Sequence, residues 1–201
     1  MNKNNYNLAI FEKSIIDIKK EKSDFGSEIA FVGYSNSGKS TLINVLTNQK
    51  KLARISKVPG RTQSINIFKV SSKVRLVDLP GYGYARVPES IRLQLKHIVF
   101  QYLKLRKCLK GLVMLIDIRC SIKNLDETVI NLAKLRHIPM FILLNKSDKV
   151  SFEKRKRQLH IMKNNQLVLS HNIQVELFSS LKSIEMNSLR DKIGNWICKI
   201  V

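Results

Sequence analysis

The stretch GYSNSGKST starts at Gly33, directly after the apolar run Ile29 to Val32. Gly33, Tyr34, Ser35, Asn36, Ser37, Gly38, Lys39 and Ser40 meet the spacing G-x-x-x-x-G-K-[ST] at every fixed position. Glycines let a backbone curl until successive N–H groups face an anion, and a helix starting there adds its positive dipole end. In such a loop Lys39 reaches the β- and γ-phosphates of a nucleotide, and the Ser40 hydroxyl ligates Mg2+. Thr41 completes the candidate phosphate set. Without context the same letters make an ordinary polar turn. Here a predicted strand precedes them and a predicted helix follows, so phosphate binding is the reading.

A second group, Asn145, Lys146, Ser147 and Asp148, begins at the last residue of the apolar run PMFILLN. A carboxylate such as Asp148 can accept from guanine N1–H and the exocyclic amine together, whereas adenine offers no such pair. A site built on those bonds can reject the wrong base by about 10⁴–10⁵-fold. Asn145 would tie this loop to the phosphate loop, and the Lys146 stem would cover the base. Phe178, Ser179 and Ser180 end the last strand, where backbone N–H groups can face guanine O6. Both motifs are weak alone and draw their force from strand position.

Asp78, Leu79, Pro80 and Gly81 end another strand. Asp78 could hold Mg2+ through water, and the Gly81 N–H could sense a γ-phosphate. Between the first helix and a hairpin lies KVPGRTQSIN, containing Gly60, Arg61, Thr62, Gln63 and Ser64. Thr62 is the natural second metal hydroxyl, on a segment of the kind that orders around a γ-phosphate. Alone this segment reads as a Pro-Gly turn. With the other three features in order, the chain reads as a Mg2+-dependent GTPase with two switch segments.

These residues need a scaffold, and the chain supplies one. Strand-like runs lie at 28–33, 65–70, 74–79, 112–118, 139–145 and 173–179. Several are continuously apolar and β-branched, as strands buried on both faces of a parallel sheet are. Helical patterns lie at 39–48, 89–107, 124–137, 151–165 and 186–200. In the last, Leu189, Ile193, Trp196, Ile197 and Ile200 form a core-facing stripe. Alternating elements predict an α/β fold with ligands at the carboxyl ends of the strands. Only SSK joins the second and third runs, which predicts an antiparallel hairpin. The expectation is a six-stranded, mostly parallel sheet in a single domain over 27–201, after a polar arm over 1–26.

A chain of 201 residues can bury a core without staples. Its odd, scattered cysteines, Cys108, Cys120 and Cys198, point to a reducing cytoplasm. No apolar run is long enough to span a bilayer, and no membrane anchor is expected. The 36 Lys+Arg against 15 Asp+Glu give a formal charge of +21. Such a field favours polyanions. Base composition offers a second source, because an AT-rich genome inflates Lys, Asn and Ile together. The clusters are KRKR (154–157), KLRKCLK (104–110), and Lys50, Lys51, Arg54, Lys57 and Arg61 beside the first switch. No RNA-stacking aromatic motif accompanies them, so contacts should be to phosphates and shape.

GYSNSGKST, KVPGRTQSIN, DLPGYGYARV, NKSD and FSSLKSIEMNSL resemble the EngB (YihA/YsxC) family, within the TrmE-Era-EngA-EngB-Septin-like class of P-loop GTPases. The resemblance covers about residues 23 to 200, and DLPGYGYA after PGRTQ is its most specific part. It implies a Ras-like domain that binds GTP and GDP, with Mg2+ at Ser40 and Thr62. It also implies a role in maturing the large ribosomal subunit, contact with its rRNA, and a link to septation and normal cell division. A cytoplasmic monomer is expected, and DNA is not an expected partner. Tyr34 stands where the family usually has Arg, Ser37 where it has a small apolar residue, and Asn145 where Thr is commoner.

Ras-type enzymes orient water with a Gln just after D-x-x-G; Tyr82 stands there instead. Intrinsic hydrolysis is then slow, or charge arrives from elsewhere. Asn36 has two readings, a ligand for a potassium ion beside the phosphates or a residue tolerating a left-handed turn. Lys39, Thr62, Gly81 and Asn36 are the catalytic candidates. Three other classes compete: a constitutive basic rRNA-binding protein with little or no turnover, a P-loop kinase or ATPase, and a membrane-linked septation protein, which the basic field allows but for which the sequence has no anchor. Intact Lys39, Ser40, Thr62 and Asp78 argue against the first, and Asp148 against the second.

Overall fold

Ser27–Val32 (β2) and Met140–Asn145 (β6) are buried at every position, as strands covered on both faces must be. The computed structural model describes residues 5–21, 24–55, 64–83, 88–179 and 186–198. Within them, β2 and β6 join Ile10–Ile15 (β1), Ile65–Lys69 (β3), Val74–Asp78 (β4), Leu109–Asp117 (β5) and Gln174–Leu177 (β7) in one sheet. Its order is β1-β3-β4-β2-β5-β6-β7. Strands β4, β2, β5, β6 and β7 run parallel, while β3 pairs antiparallel with both β4 and β1. The helices are Lys39–Leu46 (α1), Glu89–Leu105 (α2), Asn124–Leu135 (α3), Phe152–Lys163 (α4), Gln166–Ser170 (α5) and Met186–Cys198 (α6).

Alternation of side chains across each strand divides the core into two layers. Ala30, Val32, Val77, Met114 and Ile142 face Val99 and Leu103 of α2, Val129 and Ile130 of α3, and Met162 of α4. Ile29, Phe31, Leu76, Val113 and Phe141 face Leu42 and Leu46 of α1, and Leu189, Ile193 and Trp196 of α6. Because the five central strands pair parallel, their carboxyl ends share one edge, and residues 33–41, 78–81 and 145–148 lie there.

Three expectations need correction. The sheet has seven strands rather than six, because part of the polar arm expected over 1–26 is β1. Its pairing register slips between Phe11 and Lys13, so Glu12 is bulged and the alternation that marks a strand is broken. Most of β1 is also exposed, which removes the apolar signal. The arm is anchored all the same: Tyr6 and Ala9 are buried in the α1–α6 layer, and Gln49 Nε2 donates to Ala9 O at 2.7 Å. The helix expected over 151–165 stops at Lys163, and α5 follows with Asn165 capping its first turn.

At the opposite end of the sheet, Glu28 is fully buried and meets Arg106, itself 4% exposed, through both carboxylate oxygens. Tyr102 donates its hydroxyl to Glu28 Oε2 at 2.8 Å. The cluster fastens the end of α2 to the start of β2. Breaking such a pair by deleting one partner typically costs about 3–5 kcal/mol, because the remaining charge is stranded. Arg106 was counted among the basic surface residues of 104–110, and the structure removes it from that surface.

Candidate nucleotide site

The loop from Gly33 to Gly38 links β2 to α1. Gly38 caps α1 with φ 104°, a left-handed conformation, and a Cβ there would collide with Asn145 Nδ2. Glycine is required at this position by both backbone and neighbour. Asn36 also takes a left-handed φ of 63° and is exposed. Lys39 is buried; its Nζ donates to Gly33 O at 3.1 Å and to Tyr34 O at 3.3 Å. Burial lowers its pKa, and the nearby Asp78 carboxylate opposes that shift. The ammonium is thus held inside the loop, where a phosphate charge would meet it.

Ser40 Oγ donates to Asp78 Oδ2 at 2.6 Å. Asp78 Oδ1 is buried without a hydrogen-bond partner, and burial raises the pKa of this carboxyl against the pull of Lys39 and Ser40. A hydroxyl and an orphaned carboxylate oxygen, both hard donors, suit Mg2+ and its waters. Leu79 N–H donates to Phe31 O at 3.2 Å and Leu79 is fully buried, so the turn through Pro80 to Gly81 starts from a fixed point. Ser64 donates its hydroxyl to Asn66 Oδ1 at 3.3 Å. Thr41 occupies the first turn of α1. Lys57, Gly60, Arg61, Thr62, Gln63 and Ser180 lie outside the described residues.

The second loop is bolted to the first. Asn145 Nδ2 donates to Ser37 O at 2.7 Å, and Asn145 Oδ1 accepts from Lys146 N–H at 2.7 Å. Lys146, with a left-handed φ of 61°, sends Nζ to Asn36 O at 2.8 Å and to Asp117 Oδ2 at 3.0 Å. Ser147 N–H donates to Phe178 O at 3.1 Å, joining this loop to the end of β7. Ser179 Oγ donates to Asp148 Oδ1 at 2.7 Å and lowers the Asp148 pKa. The carboxylate is held beside the loop, with Lys149 Nζ 3.5 Å from Oδ2. The structure brings residues 33–41, 78–81, 145–148, 178 and 179 to one edge of the sheet.

One member escaped the sequence reading. Asp117 closes β5 and bridges Lys146 and Arg119, with Arg119 Nη2 at 2.7 Å. Hydrogen bonds from Arg119 and Lys146 outweigh burial and hold its carboxyl well below the usual range. The available signal was an acidic residue ending an apolar strand, as Asp78 does.

Residues 28–146 match the family described as 50S ribosome-binding GTPase. Over 192 residues the chain is 56% identical to "Probable GTP-binding protein EngB" of Buchnera aphidicola subsp. Baizongia pistaciae, covering 96% of this chain and 84% of that protein. The chain belongs to the EngB family. The protein of the same name from Yersinia pestis (strain Pestoides F) is 49% identical over 196 residues, covering 98% of this chain and 91% of its own length. Among solved structures, one described as "a probable GTP-binding protein engB" superposes with a TM-score of 0.69 at 22% identity, covering 86% of this chain and all of that one. Era in complex with MgGDPNP and a 16S ribosomal RNA fragment superposes with a TM-score of 0.65 at 21% identity, covering 86% of this chain and 57% of its own. Those two likenesses are of fold. With the EngB sequence matches, they fit a Ras-like P-loop GTPase domain.

Placing a methyl at Gly38 strains the loop and displaces Asn145. The substitution Gly38→Ala is expected to weaken binding of a fluorescent guanine nucleotide by about 5- to 150-fold, as a strain of about 1–3 kcal/mol implies. Unchanged affinity by fluorescence titration would show that the loop geometry is not needed.

Proposed function

We propose that this chain binds GTP and GDP, hydrolyses GTP slowly with Mg2+, and acts as a switch on a precursor of the large ribosomal subunit. The carrying observation is the 2.7 Å bond from Asn145 Nδ2 to Ser37 O, which sets Asp148 and the phosphate loop as parts of one site. Lys39 neutralises the β- and γ-phosphates, and the loop N–H groups cradle them. Ser40 and Asp78, the latter through water, would hold Mg2+, with Thr62 the second hydroxyl; the ion supplies charge to the transferring phosphoryl group. Gly81 N–H would read the γ-phosphate.

Tyr82 is 1% exposed and turns into the core, so it is not the group that orients water. That supports slow intrinsic turnover unless charge is supplied from elsewhere. Potassium at Asn36 remains the route to added charge, supported by the exposed side chain; its left-handed φ of 63° fits the turn reading equally. Turnover at matched ionic strength is expected to be faster in potassium than in sodium. Equal rates would leave Asn36 only its turn.

For the partner, support comes from Lys154, Lys156 and Arg157, exposed on one turn of α4, and from Lys50, Lys51 and Arg54 after α1. Phosphates of ribosomal RNA would complement both clusters, with a monomeric protein acting in the cytoplasm. Among the described residues no helix is long and apolar enough to cross a membrane. Disturbed septation would follow if large subunits were mismatured. Co-sedimentation with large-subunit precursors is expected to be stronger with a GTP analogue than with GDP, and to fall steeply with salt. Binding indifferent to nucleotide and salt would favour the constitutive reading or none.

Base choice rests on Asp148. In calorimetry with Mg2+, Asp148→Ala is expected to erase a guanine-over-adenine preference on the order of 10⁴-fold. An unaltered preference would sink the assignment.

A further inference from the structure

Gly81 has no side chain, so its placement against the phosphate loop must come from its neighbours. A Cβ on Gly81 would stand 2.7 Å from Ser35 Cα and 3.0 Å from Lys39 Nζ, so the segment lies directly on the loop. Its next residue carries the contacts. Tyr82 and Tyr34 form a parallel bridge, and Ser35 N–H donates to Tyr82 O at 3.0 Å. Their rings meet edge to face with centroids 5.0 Å apart. Gly83 leaves no room for a Cβ, which would overlap the Tyr34 ring.

The Tyr82 ring reaches past the loop to α3. Its hydroxyl donates to Asp126 Oδ1 at 2.7 Å, and both side chains are buried. Asp126 Oδ2 accepts from Lys123 N–H at 3.2 Å, so the same carboxylate also caps α3. Lys123 in turn sets Nζ 4.7 Å from the centroid of the Tyr34 ring. The contacts close a circuit: phosphate loop, Gly81 segment, Tyr82, Asp126, Lys123, and the phosphate loop again.

We infer that Tyr82 is a positioning residue, joining the γ-phosphate-reading segment to the start of α3 through Asp126 and thereby setting the preference for GTP over GDP. This rests on the GTPase reading given above. A hydrogen bond from a phenol to a buried carboxylate fixes the ring, and the ring fixes the peptide that follows Gly81. GDP presents nothing to that peptide. Loosening Tyr82 should therefore weaken the triphosphate selectively. A residue that merely filled the core would, when altered, weaken both nucleotides alike.

The test is calorimetric titration of the full chain with GDP and with a non-hydrolysable GTP analogue in Mg2+. Tyr82→Phe keeps the ring and removes only the hydroxyl. Its expected effect is about a tenfold loss of affinity for the analogue, as loss of a hydrogen bond to a charged group implies, with GDP affinity changed less than about twofold. Asp126→Asn keeps an oxygen that accepts from Tyr82 while losing the acceptor for Lys123 N–H, a loss common to both nucleotides, and is expected to hold the analogue-to-GDP ratio within about threefold of the unmodified chain. Should Tyr82→Phe fail to fold by circular dichroism, Asp126→Ala removes the acceptor instead and carries the same expectation. Equal losses for both nucleotides, or an unmoved ratio, would overturn the inference while leaving guanine binding intact. If the unmodified chain bound no guanine nucleotide, the GTPase reading would fall first, and this inference with it.

Discussion

The hydrogen bond from Asn145 Nδ2 to Ser37 O spans 108 residues of sequence and joins two loops that neither strand alone could align. Asn145 is only 2% exposed, so its amide cannot turn to water as an alternative. Buried polar groups left unpaired cost about 1–3 kcal/mol, which makes this contact obligatory once the strands have packed. Lys146 adds a second tie to Asn36 O, and Asp117 steadies it from β5. The two loops are thus tied at two points, Asn145 to Ser37 and Lys146 to Asn36. Without that union, Lys39 and Asp148 would be separate features on one edge.

The centre of the site carries groups that burial penalises. Lys39 is shifted down and Asp78 up, and both Ser37 Oγ and Asp78 Oδ1 lack partners. A hydrophobic core tolerates such groups only where surrounding packing determines their positions. Strands β2, β4 and β5, buried for most of their length, provide that packing. The unmet polar capacity matches what a phosphate with its cation would bring.

The basic excess is not uniform in kind. Arg106 serves a buried pair with Glu28, and Arg119 is engaged with Asp117. Lys154 and Arg157 stand on an exposed stretch of α4. Charges of the latter sort are the ones a polyanion can meet directly, whereas each paired arginine is already cancelled by its acid within the formal +21.

Local chemistry made much of this legible. GYSNSGKST, DLPG and NKSD each carry their requirement in a few adjacent residues, and continuous apolar runs announced the central strands. β1 was hidden because its bulge at Glu12 breaks the alternation and its residues are mostly exposed. Arg106 was misread because a basic run looks the same whether its members face water or a buried Glu28. The inward turn of Tyr82 and its bond to Asp126, 44 residues away, had no trace in the letters. Sequence determined which groups exist and which element each one ends, since backbone pattern is local. Tertiary structure alone decided which groups meet, because partnership between buried polar atoms depends on how layers pack and not on spacing along the chain.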